Sequence, residues 1–334
     1  MFTFTADNIM NSSTVFKIKN ESEFEAKALE VFEFQYRENT VYREFCNYLG
    51  RNPKNVSQIL LIPFLPIEFF KSKTVLTGHN PSQIAFSSSG TTGNQTSLHH
   101  VTDLGIYKQS YLKAFEHFYG DIQDYCILAL LPSYLEREGS SLIYMVDDLI
   151  KKSGHHDSGF YLDEFDSLKN KLLQLEVSGN KVLLIGVSFA LLDFAEKYSL
   201  ELKNTIVMET GGMKGKRKEM IRSELHQTLK QGFGVDEIHS EYGMTELLSQ
   251  AYSKGNGIFK TPRWMKVFIR DTEDPLTFQK NGKTGGINII DLANINSCSF
   301  IATQDLGKKY ADGSFAILGR FDHSDVRGCN LMVL

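Results

Sequence analysis

The sequence predicts an α/β protein, with mostly parallel sheets layered with helices. Three short apolar runs are typical of buried strands, at residues 126–131, 181–187 and 205–208. Segments with helical periodicity lie before, between and after these runs, at residues 102–119, 140–152, 165–177 and 189–198. Such alternation of strand and helix is typical of a parallel sheet with helices on its faces.

The two ends of the chain add other elements. Residues 21–49 carry Glu, Phe, Tyr and Leu at helical spacing and predict one or two amphipathic helices. Residues 60–70 are apolar and interrupted by prolines, which indicates a packed connector. Three further strands are predicted at residues 287–292, 299–303 and 314–318. No internal repeat or linker-like tract divides the chain, so we expect one domain over residues 1–334 with a helical N-terminal part at 1–82.

Composition excludes several classes of protein. Of 334 residues, 42% are hydrophobic and 23% charged, which are ordinary globular values. The formal net charge of −4 gives no electrostatic footprint for nucleic acid. We expect no membrane span, since the longest apolar stretches are short and contain prolines. The four cysteines form no CxxC pair, so we expect a reduced, cytoplasmic protein.

A Ser/Thr/Gly-rich segment follows the predicted strand end at residues 84–86. It contains Ser87, Ser88, Ser89, Gly90, Thr91, Thr92 and Gly93 in succession. Glycines let the backbone approach a ligand closely, while backbone N–H groups and hydroxyls converge on phosphate oxygens. No GKS or GKT follows, so the segment is not a P-loop. The alternative interpretation is a flexible surface loop.

Residues 88–93 resemble the signature of the adenylate-forming superfamily, which includes acyl-CoA synthetases, adenylation domains and luciferases. Four more segments resemble its motifs in the right order, at residues 209–213, 241–246, 303–307 and 319–322. Gln304 departs from the pattern, because it replaces the usual Gly of Thr-Gly-Asp. The resemblance implies the large N-terminal-type domain of that superfamily and the use of ATP and Mg²⁺.

The resemblance also implies roles for individual residues. The loop would cradle the departing phosphates, and Glu246 would supply an oxygen ligand to Mg²⁺. Thr245 would hydrogen-bond the α-phosphate, and Tyr242 would stack on adenine. Asp305 would accept both ribose hydroxyls, and Arg320 would bind ribose or phosphate oxygens. The ATP-binding set is completed by Gly211, Gly212 and Gly243.

Ordinary alternatives exist for these residues. Asp305 could end a turn, Arg320 could form a surface ion pair, and Glu246 could cap a helix. The basic run containing Lys214, Lys216, Arg217 and Lys218 favours a solvated helix start over a phosphate contact. The pairs at residues 99–100 and 155–156 are histidines without a Cys or acidic partner at ligand spacing, which favours surface or core histidines over a metal site. One of the first pair could also line the acyl pocket.

The segments at residues 65–71 and 131–134 and the tail resemble the LuxE-type acyl-protein synthetases, the short branch of the superfamily. That resemblance implies a chain lacking the C-terminal small domain, with residues 320–334 as a hinge-like tail. It also implies that Cys329 accepts the activated acyl group and passes it to a partner. An inert cysteine is the alternative, and it is the favoured interpretation for Cys126 and Cys298, which lie in apolar runs.

The predicted function is ATP-dependent activation of a carboxylic acid of the fatty-acid class, followed by transfer to a protein thiol. The chain would be an acid–thiol ligase with Cys329, Thr245, Glu246 and Arg320 in catalysis. Its acyl-accepting partner would be a protein such as an acyl reductase or a carrier protein. One alternative is transfer of the acid to CoA or a carrier protein. Another is a non-catalytic nucleotide-binding subunit.

Overall fold

The computed structural model describes residues 12–88, 96–132, 139–162, 164–211, 217 and 220–321. In this part of the chain, no helix has both the length and the apolar character that crossing a membrane requires. The helices are α1 (Glu21–Glu38), α2 (Thr40–Tyr48), α3 (Phe69–Ser72), α4 (Leu104–Tyr119), α5 (Ser141–Ser153), α6 (Phe165–Ser178), α7 (Ser188–Lys197) and α8 (Arg222–Phe233).

The strands belong to one large mixed sheet and one small hairpin. They are β1 (Leu65–Pro66), β2 (Ile84–Ser87), β3 (Leu98–Val101), β4 (Tyr125–Leu130), β5 (Gly159–Phe160), β6 (Lys181–Gly186), β7 (Thr205–Glu209), β8 (Ile238–Tyr242), β9 (Ala251–Ser253), β10 (Ile258–Lys260), β11 (Met265–Arg270), β12 (Thr284–Asp291), β13 (Phe300–Lys309) and β14 (Phe315–Arg320). The α/β class predicted from the sequence is confirmed.

The large sheet has the order β11-β12-β13-β14-β10-β9-β8-β7-β6-β4-β5, and β1 pairs with β13 outside this path. Strands β5, β4, β6, β7 and β8 pair with one another in parallel, in that order. From β8 through β9, β10, β14, β13 and β12 to β11 the pairing is antiparallel. The parallel arrangement therefore holds for the half of the sheet in which helices alternate with strands.

Side chains of the parallel strands alternate between two hydrophobic clusters. On β4, Ile127 and Ala129 belong to one cluster, while Cys126, Leu128 and Leu130 belong to the other. This period of two follows from strand geometry. Helices α6, α7 and α8 cover one face, and α4 and α5 cover the other. The parallel half is thus a three-layer helix–sheet–helix unit, as the apolar runs predicted.

The two N-terminal helices pack against the loop between β12 and β13. The amide nitrogen of Gln35 donates to the carbonyls of Asn294 and Ile295, both at 3.0 Å. Asn39 caps α2 by accepting from the N–H of Tyr42 at 2.9 Å, and its amide nitrogen donates to Ser297 O at 2.8 Å. These buried amides fix the position of residues 294–299 from outside the sheet.

Candidate functional site

The carboxyl ends of the parallel strands β6, β7 and β8 lie side by side at one edge of the sheet. Ligands of open α/β sheets bind outside this edge. The predicted glycines Gly211 and Gly243 lie within two residues of the ends of β7 and β8. A Cβ at Gly243 would lie 2.5 Å from Glu241 Oε1, so only glycine fits there without a shift. The structure thus places two of the predicted motifs next to each other.

Three predicted residues from three separate motifs meet at Asp305. The Tyr242 hydroxyl at the end of β8 donates to Asp305 Oδ2 at 2.7 Å. Arg320 faces Asp305 across the β13–β14 ladder, and its Nε donates to Asp305 Oδ1 at 3.1 Å. Asp305 is 5% exposed, whereas the Arg320 side chain is 68% exposed. Each carboxylate oxygen still has a lone-pair direction left for a hydroxyl of a ligand.

The tyrosine in this cluster is protonated. Burial and then the charge of Asp305 raise the pKa of Tyr242 well above its ordinary value. Its ring packs edge-on against Phe259 and Phe315, with centroid distances of 6.0 and 5.9 Å. The ring packing and the hydrogen bond to Asp305 together fix this side chain at the carboxyl end of β8.

A half-buried arginine supports the backbone beneath Asp305. The Asp305 N–H donates to Thr303 Oγ1 at 3.1 Å, and Arg270 Nη2 donates to the Thr303 carbonyl at 2.6 Å. Arg270 Nη1 donates to Ile287 O and to Asn288 Oδ1, both at 2.8 Å. These bonds tie β13 to β12 at the position of the carboxylate.

Thr245 and Glu246 lie in the loop after β8, and side chains from two other elements bind their backbone carbonyls. The Thr245 carbonyl accepts from His99 Nδ1 at 2.8 Å, and the Glu246 carbonyl accepts from Asn294 Nδ2 at 2.7 Å. Asp291 Oδ2 accepts from the N–H groups of Leu248 and Ser249 at 3.1 and 2.9 Å. The loop is therefore clamped on both sides of Glu246.

His99 is a buried, neutral histidine on β3. Burial lowers its pKa to about 4, although the hydrogen bond to Thr245 acts in the opposite direction. Because the Thr245 carbonyl can only accept, Nδ1 carries the proton, and Nε2 accepts from Ser297 Oγ at 2.8 Å. Of the alternatives that the sequence left open for this residue, the structure favours the core histidine.

The Glu246 side chain is 5% exposed and lies beside the hairpin of β2 and β3. Burial raises the pKa of Glu246, whereas a hydrogen bond with Ser97 and the charges of Arg320 and Lys71 act in the opposite direction. A buried carboxylate of this kind is stabilised by a cation. The donor chemistry therefore fits Mg²⁺, which prefers carboxylate oxygens.

The same hairpin forms the base of the predicted phosphate loop. The Ser88 N–H donates to Ser97 O at 3.1 Å, and the Ser97 N–H donates to Ser88 Oγ at 2.9 Å. On the other side, the Ser87 N–H donates to Gly139 O at 2.8 Å. Five predicted loop residues lie outside the described part of the chain, namely Ser89, Gly90, Thr91, Thr92 and Gly93. The base itself lies next to Glu246, since Ser97 hydrogen-bonds with that carboxyl group.

The loop after β7 is organised around Glu209. The Gly211 N–H donates to Glu209 Oε2 at 2.7 Å, and His226 Nε2 lies 3.6 Å from Glu209 Oε1. Burial raises the pKa of Glu209, but His226, the charge of Arg222 and further hydrogen bonds outweigh it and bring the pKa to about 2. Gly211 has φ of 72°, which favours glycine. Gly212 lies outside the described residues.

Glu241 is a buried carboxyl between this loop and the β8 loop. Burial, and then the charge of Glu209, raise the pKa of Glu241 to about 8. The carboxyl is therefore neutral at pH 7. Sequence analysis assigned Glu241 no role beyond its place in the motif.

The cysteines behave as predicted where the structure describes them. Cys46, Cys126 and Cys298 are free and buried. Burial raises the pKa of Cys46 to about 12 and of Cys126 to about 11, and raises that of Cys298 further above its ordinary value. These thiols are poor nucleophiles at neutral pH. Cys329 lies outside the described residues, as does Asp322 of the last motif.

Two expectations for basic residues need correction. Arg217 is not at a helix start, since α8 begins at Arg222, and Arg217 forms ion pairs with Asp193 and Glu196 of α7. The second histidine pair does have an acidic partner. His155, His156 and Asp157 bring their ligand atoms within 4.8 Å of one another.

Asp157 is already bound by Lys171 Nζ at 2.5 Å, however, and the His156 side chain is 83% exposed. A cation at this cluster would have to compete with the lysine for the carboxylate. The cluster therefore makes a weak metal site by its geometry.

Sequence reasoning did not assign the residues that hold the site in place. They are Ser97, Asp291, Asn294 and Arg270. His99 and Thr245 are separated by 146 positions, so no local pattern could connect them. In the sequence, the feature that could have pointed to these supporting residues is the polar Asp291 at the end of a predicted apolar strand, with Asn294 three positions later.

The fold recurs in solved structures of adenylate-forming enzymes. An ATP-bound MatB from Rhodopseudomonas palustris aligns with a TM-score of 0.52 and 17% identity, over 71% of this chain and 47% of MatB. A 2-hydroxyisobutyryl-CoA ligase in its postadenylation state aligns with a TM-score of 0.63 and 10% identity, over 90% of this chain and 68% of the ligase. The chain thus spans about half the length of MatB, and these likenesses concern the fold alone.

The chain shares its fold with these enzymes. Its sequence is more specific. Residues 153–334 match the family described as "Acyl-protein synthetase, LuxE". That match covers more than half of the chain, and the chain belongs to this family. A Vibrio harveyi protein described as a long-chain-fatty-acid–luciferin-component ligase is 23% identical over 300 residues, 83% of this chain and 76% of that protein.

Proposed function

We propose that this enzyme activates a carboxylic acid, of the fatty-acid class, as an acyl-adenylate and then transfers the acyl group to a protein thiol. The observation that carries the proposal is the meeting of Tyr242, Asp305 and Arg320 from three separate motifs. Family membership supports a ligase, and the Vibrio harveyi relative's name supports a long-chain acid. Residues 1–334 would act as one adenylating domain.

ATP would bind across the carboxyl ends of β7 and β8. Asp305 would accept the ribose hydroxyls, with Tyr242 and Arg320 holding its two oxygens in place. Tyr242 would contact adenine beside Gly211 and Gly243. The exposed guanidinium of Arg320 could turn toward ribose or phosphate oxygens, because only its Nε is engaged with Asp305.

The phosphates would lie between the hairpin base at Ser88 and the β8 loop. Thr245 would hydrogen-bond the α-phosphate, and Glu246 would hold Mg²⁺, which would neutralise phosphate charge during the displacement. The residues of 88–93 would cradle the leaving pyrophosphate. The clamp on Thr245 and Glu246 favours a fixed geometry, which in-line attack requires.

In the first half-reaction, a carboxylate oxygen of the acid attacks the α-phosphorus, and the bond to the β-phosphate oxygen breaks. In the second, the thiolate of Cys329 attacks the acyl carbon, and AMP leaves with the carboxylate oxygen. The low reactivity of the three buried cysteines supports Cys329 as the acyl carrier. The acyl group would then pass to a partner protein such as an acyl reductase or a carrier protein.

Acid-dependent exchange between ATP and labelled pyrophosphate tests the first half-reaction. The wild type should exchange with at least one member of a panel of fatty acids. Glu246→Gln should reduce exchange by about 100-fold or more, because it removes the metal-binding charge but keeps the shape. Wild-type exchange by the folded variant would refute the assignment of Glu246, and absence of exchange by the wild type over the whole panel would refute the function.

A further inference from the structure

The connector between the N-terminal helices and the hairpin reaches the nucleotide strand. Strand β1 pairs in parallel with β13, with Leu65 opposite Ile301 and Pro66 opposite Ala302. The Ile67 N–H extends this pairing by donating to Ala302 O at 3.0 Å. The connector thus runs alongside β13 toward Asp305 and then turns into α3.

Gln304 fixes the next residue of the connector. Its amide nitrogen donates to Glu68 Oε1. Gln304 stands between Thr303 and Asp305, at the position where the superfamily resemblance implies glycine. A glycine has no side chain to make this contact. The departure from the pattern therefore has a physical effect, which is to tie α3 to the ribose-side strand.

The end of the connector packs against the support of Glu246. The Phe70 ring is buried and meets the His99 ring edge-on at 5.5 Å, and His99 holds the Thr245 carbonyl. Lys71 follows in the same short helix. It is exposed, and in the part of the chain that the structure describes it makes no ion pair. The contacts of Glu68 with Gln304 and of Phe70 with His99 therefore hold the helix of Lys71 beside the strand of Asp305 and the support of Thr245.

We propose that Lys71 binds the β- and γ-phosphates of ATP beside Glu246, as a cation supplied by the connector. The inference rests on the proposed function and assigns a further residue to the same site. The exposed ammonium has no ion-pair partner among the described residues and is available to a ligand, and the contacts of Glu68 and Phe70 limit where it can go. Charge on the leaving pyrophosphate increases during adenylation, so a fixed cation there lowers the barrier.

The test separates binding of the outer phosphates from binding of the nucleoside. Isothermal titration calorimetry measures the affinity for AMP and, in the presence of Mg²⁺, for α,β-methylene-ATP. Four proteins are compared, namely the wild type, Lys71→Ala, Lys71→Arg and the control Lys73→Ala. Lys73 is exposed and only two positions away. Lys71→Ala should weaken binding of the triphosphate by about 10- to 150-fold. It should leave AMP affinity within about twofold, Lys71→Arg should recover most of the loss, and Lys73→Ala should match the wild type.

Three results would overturn the inference. Equal binding of the triphosphate by wild type and Lys71→Ala would show that the ammonium makes no phosphate contact. An equal loss of AMP and triphosphate affinity would show a structural role for Lys71. A wild type that binds neither ligand would remove the proposed function and this inference with it, whereas the first two results leave the proposed function standing.

Discussion

Replacement of Glu241 by glutamine should stabilise the protein at neutral pH, by an amount that depends on pH. Burial and the neighbouring Glu209 raise the pKa of Glu241 from 4.5 to about 8 in the folded protein. Below pH 4.5 the carboxyl is protonated in both the folded and the unfolded chain. Between these values only the unfolded chain has lost the proton, so the free energy of unfolding falls as the pH rises toward 8.

The size of the effect follows from the pH interval between the pKa of Glu241 in the unfolded chain and its pKa in the folded protein. At pH 7, which is about 2.5 pH units above the ordinary pKa of a glutamate, the folded protein still holds a proton that the unfolded chain has lost. At 1.36 kcal/mol per unit, this lowers the free energy of unfolding by about 3 kcal/mol. Glutamine resembles the protonated form in shape and cannot ionise. The gain in Glu241→Gln should therefore be near zero at pH 4.5 and should rise steadily to about 3 kcal/mol at pH 7.

Urea denaturation at pH 5, 6, 7 and 8 measures this difference, with Glu33→Gln on the exposed face of α1 as the control. The control should show a difference that is small and constant with pH. A Glu241→Gln difference that does not grow between pH 5 and pH 7 would contradict the assignment of a buried neutral carboxyl. A loss of stability at every pH would show that Glu241 is charged and paired in the folded protein.

Two further predictions concern the site. His99→Phe removes the hydrogen bond to the Thr245 carbonyl, so acid-dependent pyrophosphate exchange should fall by about 10- to 100-fold, since small misplacements of reacting groups are costly. His100→Ala on the same strand should stay near wild type, and equal rates in all three proteins would show that the clamp is unimportant. Cys329→Ser should keep exchange nearly intact but should abolish covalent retention of radiolabelled acid on the denatured protein. Label retained by the serine variant would assign the acyl group to another residue.

Much of the parallel half of the sheet could be predicted from the sequence. Its strands are buried on both faces and appear as continuous apolar runs, as β4 and β6 show. Helix α1 was predictable from its periodicity, and it begins after a capping Asn20. In each case the local pattern matches the tertiary environment, so the sequence alone is sufficient.

The antiparallel half was harder to predict. Strands β9 and β10 have three residues each, which is too short for an alternating pattern to stand out. The pairing of β1 with β13 joins residues more than two hundred positions apart. No local propensity encodes such a contact, and for this reason the connector's approach to the nucleotide strand appears only in the folded structure.

The residues of the candidate site likewise fall into a group that local sequence could predict and a group that it could not. The motif residues Tyr242, Asp305 and Arg320 were singled out because the short segments around them resemble the motifs of the superfamily. The supporting residues were missed, because Asn294 and Asp291 act on backbone groups more than 40 positions away. Ordinary polar residues in ordinary segments give no sign that they hold a loop in place.

The most direct test of the account follows the oxygen atoms of the acid. The enzyme is incubated with ATP, Mg²⁺ and a fatty acid whose carboxylate carries ¹⁸O, and the nucleotide product is analysed by mass spectrometry. Attack of the carboxylate on the α-phosphorus leaves one carboxylate oxygen on the phosphorus when the acyl group departs to the thiol. The account therefore predicts AMP that contains one ¹⁸O atom. Unlabelled AMP, or ADP accompanied by ¹⁸O-labelled phosphate, would contradict adenylation as the activating step.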